Sequence, residues 1–325
     1  MKRLIENFSV QIEEALSIGE AYKFQLERRI FKNVVICGLG GSGIGASFVK
    51  DATFNELSIP LTVIKGYLIP RFVNEETLVI ISSYSGNTEE TVQCFHDAIQ
   101  RTSSIIGVTS NGEVLKICKE SNFDCIQIPG GNPPRACFGY SGIQLFFILH
   151  HFGLINDQFK TDFKAASSLL NEEKVSLKKE ALNLAEQLYD KIPVLYCSDQ
   201  IESVAIRWRQ QINENGKQLC WHHVIPEMNH NEIVGWRDKN ENLAVVYLRN
   251  ETDFEKNAKR MDLNKVVLKN YTHSVFEVWS KGASFIEKSI YLLHIGDWMS
   301  FYLADLRGYN VTEVKVLDEL KANLK

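Results

Sequence analysis

The sequence predicts an α/β protein with two domains, each a three-layer arrangement of helices around a mainly parallel sheet. The chain has 325 residues, the length of about two domains. Short runs rich in Val and Ile alternate with helical patterns, as expected when helices cover both faces of a parallel sheet. The alternation starts again after the polar helical stretch 160–191. We therefore expect one domain over 1–155 and a second over 156–325.

In the first half, a helical pattern precedes the first strand. Ile5, Phe8, Ile12 and Leu16 recur at spacings of three and four, which predicts a long helix within 4–30. Further helices are expected at 38–54 after a glycine-rich turn, from Thr88 to about residue 101, and near 113–121. The predicted strands are VVIC (34–37), LTVIKG (61–66), LVIIS (78–82), SIIGVTS (104–110) and DCIQIP (124–129).

The second half repeats the alternation and ends in two helices. A helix is expected from Ile201, a long apolar helix over Ser284–Leu306, and an amphipathic helix over 311–325. The apolar helix suits a core or a subunit interface. The predicted strands are VLYCS (194–198), LAVVYL (243–248), KVVLK (265–269) and SVFEVW (274–279).

Charge and hydropathy argue against nucleic acid and membrane as partners. Thirty-six basic and forty acidic residues give a net charge of −4, which provides no long-range attraction for a polyanion. No apolar run reaches the roughly 18 residues of a transmembrane helix. Glu6, Glu13 and Glu14 interrupt what would be the apolar core of a signal peptide, so we expect a cytoplasmic protein.

The seven cysteines are odd in number and include no Cys-x-x-Cys pair, which favours neither a disulfide framework nor a zinc ribbon. Cys37, Cys125 and Cys197 lie in apolar runs typical of strands. We interpret the cysteines as reduced thiols that mostly serve packing.

A glycine-rich turn, GLGGSGIG (38–45), follows the first strand and opens a helix. Such turns allow close backbone approach, and their free N–H groups attract anions. The turn contains G-x-G-x-x-G, so a dinucleotide site is one alternative. The second strand, however, ends in Lys65-Gly66 without the acidic residue that binds a ribose. A glycine turn that only packs helix on sheet is the other alternative.

A second polar turn, SSYSGNTEE (82–90), follows the third strand. Its hydroxyl groups and backbone N–H groups could ring one phosphate. Helix capping by Asn87 or Thr88 is the alternative, but it leaves Ser83 and Ser85 unexplained.

A cluster of His222, His223, His230, Glu227 and Glu232 raises the possibility of a zinc site. The spacing is not a recognised zinc signature. Adjacent His222 and His223 would point to opposite faces of a strand, so a metal is not favoured.

Two further residues have side chains that could serve acid–base chemistry or bind an anion. A carboxylate can act as a general base, and a guanidinium can stabilise a negatively charged oxygen. Glu214 ends a helical run, and Arg135 lies in a loop with two prolines. From the residues alone, a solvated glutamate is the favoured interpretation of Glu214, and a surface arginine explains Arg135 as well as a functional role does.

Several segments within residues 34–321 match one known family and occur in the same order as in that family. They are VVICGLGGSGIGA, SSYSGNTEET, PGGNPPRACFGY, INENGK, PEMNHNEI, LADLRGY and LDELK. With these segments the sequence resembles the bacterial and archaeal bifunctional phosphoglucose/phosphomannose isomerases, which have the sugar-isomerase (SIS) fold. This resemblance implies two SIS-type subdomains.

The resemblance implies roles for individual residues. Glu214 would carry the proton between C2 and C1, and Arg135 would stabilise the enediolate. His230 would open the sugar ring in the active site of a partner subunit, which implies a homodimer. Lys321 would assist ring opening, with Lys315 as the competing position. The implied substrate-binding residues are Gly41, Ser42, Ser83, Ser85 and Thr88 for the phosphate and Thr312 for tolerance of both C2 epimers.

The function implied is a metal-independent aldose–ketose isomerase that uses no cofactor and acts on glucose 6-phosphate and mannose 6-phosphate. Three alternatives stay open at this point. One is a sugar-phosphate sensor without turnover, and another is an NAD-dependent oxidoreductase using the glycine turn. The third is a zinc-dependent mannose-phosphate isomerase of unrelated fold.

Overall fold

The computed structural model of the protein describes residues 1–323, and the chain divides into two compact units. We call Asn7–Ser168 with Ser284–Glu287 the N-terminal unit. The C-terminal unit consists of Met1–Glu6, Leu169–Ala283 and the chain from Lys288 onward. Each unit contains one parallel sheet, so the predicted α/β class is confirmed.

The sheet of the N-terminal unit has five parallel strands in the order β2-β1-β3-β4-β5. The chain leaves β1 toward β2 on one side and returns to β3 on the other. This reversal opens a crevice at the carboxyl ends of β1 and β3, where α/β proteins bind ligands. The strands are β1 Asn33–Cys37, β2 Leu61–Ile64, β3 Thr77–Ser82, β4 Ile105–Thr109 and β5 Asp124–Gln127.

Helices cover this sheet and bury β3 along its whole length. Val35 and Val79 pack against Phe95 and Val114 of two covering helices, which explains why the strand sequences are apolar throughout. The helices are α2 Phe8–Ala21, α3 Gly40–Ala52, α4 Glu89–Ile99, α5 Gly112–Glu120 and α6 Phe138–His151, followed by α7 Gln158–Glu172 at the end of the unit.

The first helical segment is shorter than predicted. The helix expected within 4–30 is two helices, α1 Lys2–Glu6 and α2, and it ends at Ala21. Beyond it, the phenol of Tyr22 donates to Asp124 Oδ1 at 3.0 Å, and the N–H of Leu26 donates to Asp124 Oδ2 at 2.8 Å. These contacts to the start of β5 hold the segment in a non-helical conformation.

The C-terminal unit repeats the arrangement with four parallel strands in the order β7-β6-β8-β9. Its strands are β6 Ile192–Ser198, β7 Trp221–Ile225, β8 Leu243–Arg249 and β9 Val275–Trp279. Its helices are α8 Lys174–Leu188, α9 Glu202–Glu214, α10 Glu255–Leu268, α11 Phe285–Leu306, whose first residues belong to the N-terminal unit, and α12 Lys315–Asn323.

One predicted strand is wrong and one strand is missing from the prediction. KVVLK (265–269) lies mostly in α10, because Met261, Asn264 and Leu268 recur at helical spacing and are buried, while Val266 is exposed. The missed strand is β7, whose sequence WHHVI has polar residues in the centre and is only partly buried. β7 lies at the edge of the sheet, where such residues are common.

Two further features of the structure are the length of its apolar helices and the state of its cysteines. Within residues 1–323, no helix is long and apolar enough to cross a membrane. The seven cysteines are free thiols, and five of them are buried.

Candidate active site

The glycine turn after β1 contacts two other loops of the N-terminal unit. A Cβ atom at Gly41 would lie 2.7 Å from the carbonyl oxygen of Pro134, so this close approach requires glycine. Ser42 is buried, and its Oγ accepts a 3.0 Å hydrogen bond from the N–H of Tyr84. The glycine turn, the Ser/Thr turn after β3 and the proline loop therefore meet at one crevice.

In the Ser/Thr turn, two of the hydroxyl groups bond to each other. Ser83 Oγ donates to Thr88 Oγ1 at 3.0 Å. Thr88 occupies the N-cap position of α4, as one alternative predicted, but its side chain makes no capping hydrogen bond. The first-turn N–H groups of α4 have no acceptor within the helix, which makes them suitable for an anion. Ser85 is exposed at the tip of the turn and accepts from the N–H of Asn87 at 3.3 Å.

Arg135 lies in a short helical turn, Pro134–Ala136, and its residue surface is only 6% exposed. The alternative of a surface arginine is therefore wrong. A guanidinium stays charged when buried and offers donors in a planar fork. Its backbone N–H nitrogen is 3.5 Å from the position that a Cβ of Gly41 would take, so Arg135 belongs to the wall of the crevice.

Two other side chains line this region, and sequence reasoning gave neither of them a role. The Cε atom of Lys65 lies 3.6 Å from the position that a Cβ of Gly43 would take. A lysine thus stands where a dinucleotide-binding protein carries its ribose-binding acid. The hydroxyl of Tyr84 accepts from the N–H of Asn132 at 3.2 Å, and burial raises the pKa of Tyr84. The phenol is therefore neutral at physiological pH.

In the C-terminal unit, Glu214 is the last residue of α9, and this helix is fixed by buried polar contacts to α11. Arg207 Nη2 and Gln211 Nε2 donate to the two carboxylate oxygens of Asp297, each at 2.8 Å. Trp208 Nε1 donates to the carbonyl of Leu292 at 2.8 Å. The half-buried Glu214 therefore lies at the end of a rigid element.

Glu214 lines a cavity of about 390 Å³ between the end of α9 and the segment after α11, residues 307–323, which we call the C-terminal tail. Lys217 spans this cavity, because its Nζ donates to the carbonyl of Glu214 at 2.6 Å and to the carbonyl of Glu313. The lining residues are Asn213, Glu214, Lys217, Tyr309, Glu313, Val314, Val316 and Leu317.

The tail carries the other residues that were assigned to this half of the site. Thr312 is exposed directly before Glu313, and its N–H donates to Asn310 Oδ1 at 2.9 Å. On α12, Lys321 follows Leu317 by four residues and so shares its face, which is the face toward the cavity. Lys315 precedes Leu317 by two residues and points away from it.

The histidines of β7 point to opposite faces of the sheet, as predicted. His222 faces α9, with its ring nitrogens 3.3 Å from Arg209 Nη1 and 3.4 Å from a carboxylate oxygen of Glu202. His223 faces the other side, with Nδ1 at 3.0 Å from Glu232. The two imidazoles therefore approach different carboxylates and do not converge on one point.

His230 lies on the face of the sheet that α9 does not cover. It is exposed at the end of the short turn Glu227–His230. Met228 of this turn packs on Tyr196, the residue in register with His223. Asn229 Nδ2 donates to Asn264 Oδ1 of α10 at 2.8 Å. The sheet of the C-terminal unit consequently lies between His230 and the helix that carries Glu214.

Each unit thus brings together part of the residues assigned from the sequence. The crevice of the N-terminal unit has hydroxyl groups, N–H groups and a guanidinium, which are donors suited to anionic oxygens. The cavity of the C-terminal unit has a carboxylate that could move a proton. The crevice gathers Gly41, Ser42, Ser83, Thr88 and Arg135 with Ser85 at its rim. The cavity is lined by Glu214 and by Glu313, the residue after Thr312, and Lys321 shares a face of α12 with the lining residue Leu317. His230 is not among the residues that line this cavity.

Sequence reasoning also gave no role to Lys217, Arg307, Tyr309 or Glu313. Lys217 stands in INENGK, while Arg307 and Tyr309 stand in LADLRGY, so two of the matching segments already contained them. Their contacts join residues about ninety positions apart, which no local pattern reveals.

Comparison with known proteins relates the whole chain to sugar-phosphate enzymes. The family model for the bacterial phospho-glucose isomerase C-terminal SIS domain matches residues 177–324. A bifunctional phosphoglucose/phosphomannose isomerase of Caldicellulosiruptor bescii is 37% identical over 98% of this chain and 97% of its own. A relative of the same name from Aquifex aeolicus is 36% identical over 91% of each chain.

A solved structure shows the same fold at low identity. The C-terminal domain of glucosamine-fructose-6-phosphate aminotransferase from Francisella tularensis superposes with a TM-score of 0.77 at 13% identity, covering 97% of each chain. At this identity the likeness concerns the fold alone.

Proposed function

The chain belongs to the bifunctional phosphoglucose/phosphomannose isomerase family, and from this premise we propose that it interconverts glucose 6-phosphate and mannose 6-phosphate with fructose 6-phosphate. The observation that carries the proposal is the 37% identity to a named isomerase over nearly the whole chain, because that span includes both the crevice and the cavity. The reaction passes through a cis-enediol and requires neither a metal ion nor a cofactor.

The phosphate is held in the crevice of the N-terminal unit by neutral donors. Ser42, Ser83, Ser85 and Thr88 supply hydroxyl groups, while the first turn of α4 supplies N–H groups. Gly41 keeps the backbone close enough to the proline loop for this arrangement. Binding by local donors agrees with the net charge of −4, since no basic funnel is needed.

Glu214 acts as the general base that takes the proton from C2 and returns it to C1. Its fixed position at the end of α9 supports this role, because proton transfer needs a carboxylate held within hydrogen-bond reach of the carbon-bound proton. Arg135 stabilises the negative charge on the enediolate oxygens. Lys321 assists ring opening from the α12 face, and Thr312 leaves room for either epimer at C2.

The working form is a homodimer in which His230 serves the partner's active site and opens the sugar ring. The support is the location of His230 and Glu214 on opposite sides of one sheet. Layers of secondary structure pack about 10 Å apart on each face, so the two side chains of one chain are too distant to share a hexose. The free cysteine thiols agree with a cytosolic enzyme.

The direct test is formation of fructose 6-phosphate from glucose 6-phosphate and, separately, from mannose 6-phosphate, each with and without a chelator. We expect turnover of both sugars that the chelator does not change. Turnover of glucose 6-phosphate alone would contradict the proposed role of Thr312. Binding of a hexose phosphate without any turnover would overturn the isomerase in favour of a sugar-phosphate sensor.

Sharing of the site between two chains is tested by mixing two inactive variants, Glu214→Gln and His230→Gln. In a mixed dimer, one of the two sites would contain Glu214 of one chain and His230 of the other, both intact. Random exchange of subunits should therefore restore about a quarter of the wild-type activity. A mixture that stays as inactive as its components would contradict donation of His230 across the dimer.

A further inference from the structure

Beyond the base itself, we propose that Lys217 and Arg307 are positioning residues that clamp the turn carrying Glu214 to the C-terminal tail, so that the base and the Thr312 segment are held as one body. This inference rests on the proposed isomerase function. It concerns the geometry of the cavity in the C-terminal unit and assigns no contact with substrate to either residue.

The turn after Glu214 is anchored on several sides. Asn215 is fully buried, and its Nδ2 donates to Ser300 Oγ at 3.1 Å. Asn213 Nδ2 donates to the carbonyl of Gln218 at 2.7 Å, and Gln218 Nε2 donates to the carbonyl of Leu188 at 3.2 Å. These contacts join the turn to α11 and to the end of α8, but none of them reaches the tail.

Lys217 supplies the connection to the tail. Its ammonium bonds to the carbonyl of Glu214 and also to the carbonyl of Glu313, the residue after Thr312. Lys217 has a φ of +54°, a region that residues with a Cβ atom rarely occupy. Glycine would meet this backbone requirement more easily, so a Lys217→Gly substitution can remove the side chain without straining the turn.

Arg307 closes the clamp from the other direction. Its Nη1 lies 3.3 Å from the carbonyl oxygen of Gly216, 3.4 Å from that of Lys217 and 3.3 Å from Gln218 Oε1. Its guanidinium also lies 5.1 Å from the ring centroid of Tyr309, which lines the cavity. The ammonium of Lys217, which lies in the turn, thus binds the tail. The guanidinium of Arg307, which follows α11, binds the turn.

The clamp explains how two segments about a hundred residues apart keep a constant separation. A displacement of about 1 Å in a catalytic group can lower a rate by about 100-fold, so the clamp should affect turnover more than binding. Because Thr312 lies directly before Glu313, loosening the clamp should also change the discrimination between the two C2 epimers.

The test compares Lys217→Gly and Lys217→Met with wild-type enzyme on both hexose 6-phosphates. Lys217→Gly retains the turn and removes the ammonium, whereas Lys217→Met retains the aliphatic stem. We expect both to lower kcat by about 10-fold or more and to leave KM within about 3-fold. We also expect the ratio of kcat/KM for mannose 6-phosphate to that for glucose 6-phosphate to change by about 3-fold or more.

Arg307→Met should have the same signature, and Arg307→Lys should recover part of the loss because it retains one donor. The matched control is Lys281→Gln, which breaks the 2.6 Å ion pair with Glu173 in the same unit, outside the cavity lining. It should leave kcat, KM and the epimer ratio unchanged.

Wild-type kcat and epimer ratio in Lys217→Gly, measured beside an active wild-type enzyme, would overturn the clamp. Loss of activity confined to Lys217→Met would overturn it too, since the turn and not the ammonium would then matter. If the wild-type enzyme itself had no turnover, the proposed function would fail and the inference with it. Circular dichroism of each variant separates loss of turnover from loss of folding.

Discussion

The two units have the same strand connections, but their crevices differ in chemistry. In each, the second strand lies on one side of the first and the third strand on the other. After β1 the N-terminal unit has glycines and hydroxyl groups. After β6 the C-terminal unit has Ser198 and Asp199, and Asn257 Nδ2 donates to both of them, at 3.2 and 3.0 Å. In the second crevice, the hydroxyl of Ser198 and the carboxylate of Asp199 therefore already bond to Asn257, and the carboxylate repels phosphate.

In the C-terminal unit, the residues with a proposed catalytic role lie in another part of the same architecture. Glu214 lies at the far end of α9, and the turn after it bonds through Gln218 to Leu188, four residues before β6. Glu214, the proposed base, therefore lies near the amino end of β6 and not in the crevice at its carboxyl end. Topology marks where a ligand can bind, but the side chains decide which of two equivalent places is used.

The largest expected effect removes the chemistry of the C-terminal unit while sparing the binding crevice. Glu214→Gln should lower kcat by at least about 100-fold, in line with general-base contributions, because an amide cannot accept the C2 proton. Affinity for a hexose phosphate, measured by calorimetry, should change little. Glu202→Gln at the other end of α9 is the control. Turnover near the wild-type value in Glu214→Gln would contradict the assignment.

A smaller effect distinguishes the two crevices directly. Thr88→Val removes a hydroxyl from the N-terminal crevice, and Ser198→Ala removes one from the crevice of the C-terminal unit. A hydrogen bond to a charged phosphate is worth about 1.5–3 kcal/mol, so Thr88→Val should raise KM by about 10-fold or more. Ser198→Ala should leave KM unchanged. An equal rise in both variants would remove the distinction between the crevices.

The last effect concerns the stability of the C-terminal unit and leaves catalysis and binding aside. Burial lowers the pKa of His294 to about 4, and Trp298 Nε1 donates to its Nε2 at 3.2 Å, which requires an unprotonated nitrogen. The unfolded state therefore binds this proton more readily than the folded state. The neutral imidazole of His294 contributes about 3 kcal/mol to the free energy of unfolding. This contribution is fully present above pH about 6.5 and is lost as the pH falls toward about 4.

Tryptophan fluorescence isolates this effect, because all five tryptophans belong to the C-terminal unit. Urea unfolding followed by fluorescence should give a free energy that falls between pH 6.5 and pH 4. In His294→Gln, the free energy of unfolding should depend less steeply on pH, although this variant is less stable at pH 6.5. The same slope in both proteins would show that the histidine does not couple folding to pH.

Most strands could be predicted because their runs of Val and Ile reflect burial on both faces of a parallel sheet. The same signal failed at KVVLK, where Val266 is exposed on α10 and the buried residues follow a helical period. It also failed at β7, an edge strand with a polar centre. Local composition reports burial reliably only where both faces of an element are covered.

For the site, the sequence located the glycine turn, the hydroxyl turn and the helix end at Glu214, because each is a local pattern beside a strand or helix boundary. It did not give the position of Arg135 in the crevice wall or the contacts of Lys217. Those depend on approach between distant segments, such as Gly41 to Pro134 and Lys217 to Glu313.

The sequence by itself determined the parallel α/β class and the places of the glycine turn and the Ser/Thr turn after their strands, since hydrophobic period and turn composition act over a few residues. Only the tertiary structure decided that Arg135 is buried, that the sheet lies between His230 and Glu214, and that the tail is joined to the turn of the base. These properties arise from packing between segments far apart in the chain, and no local pattern records which segments meet.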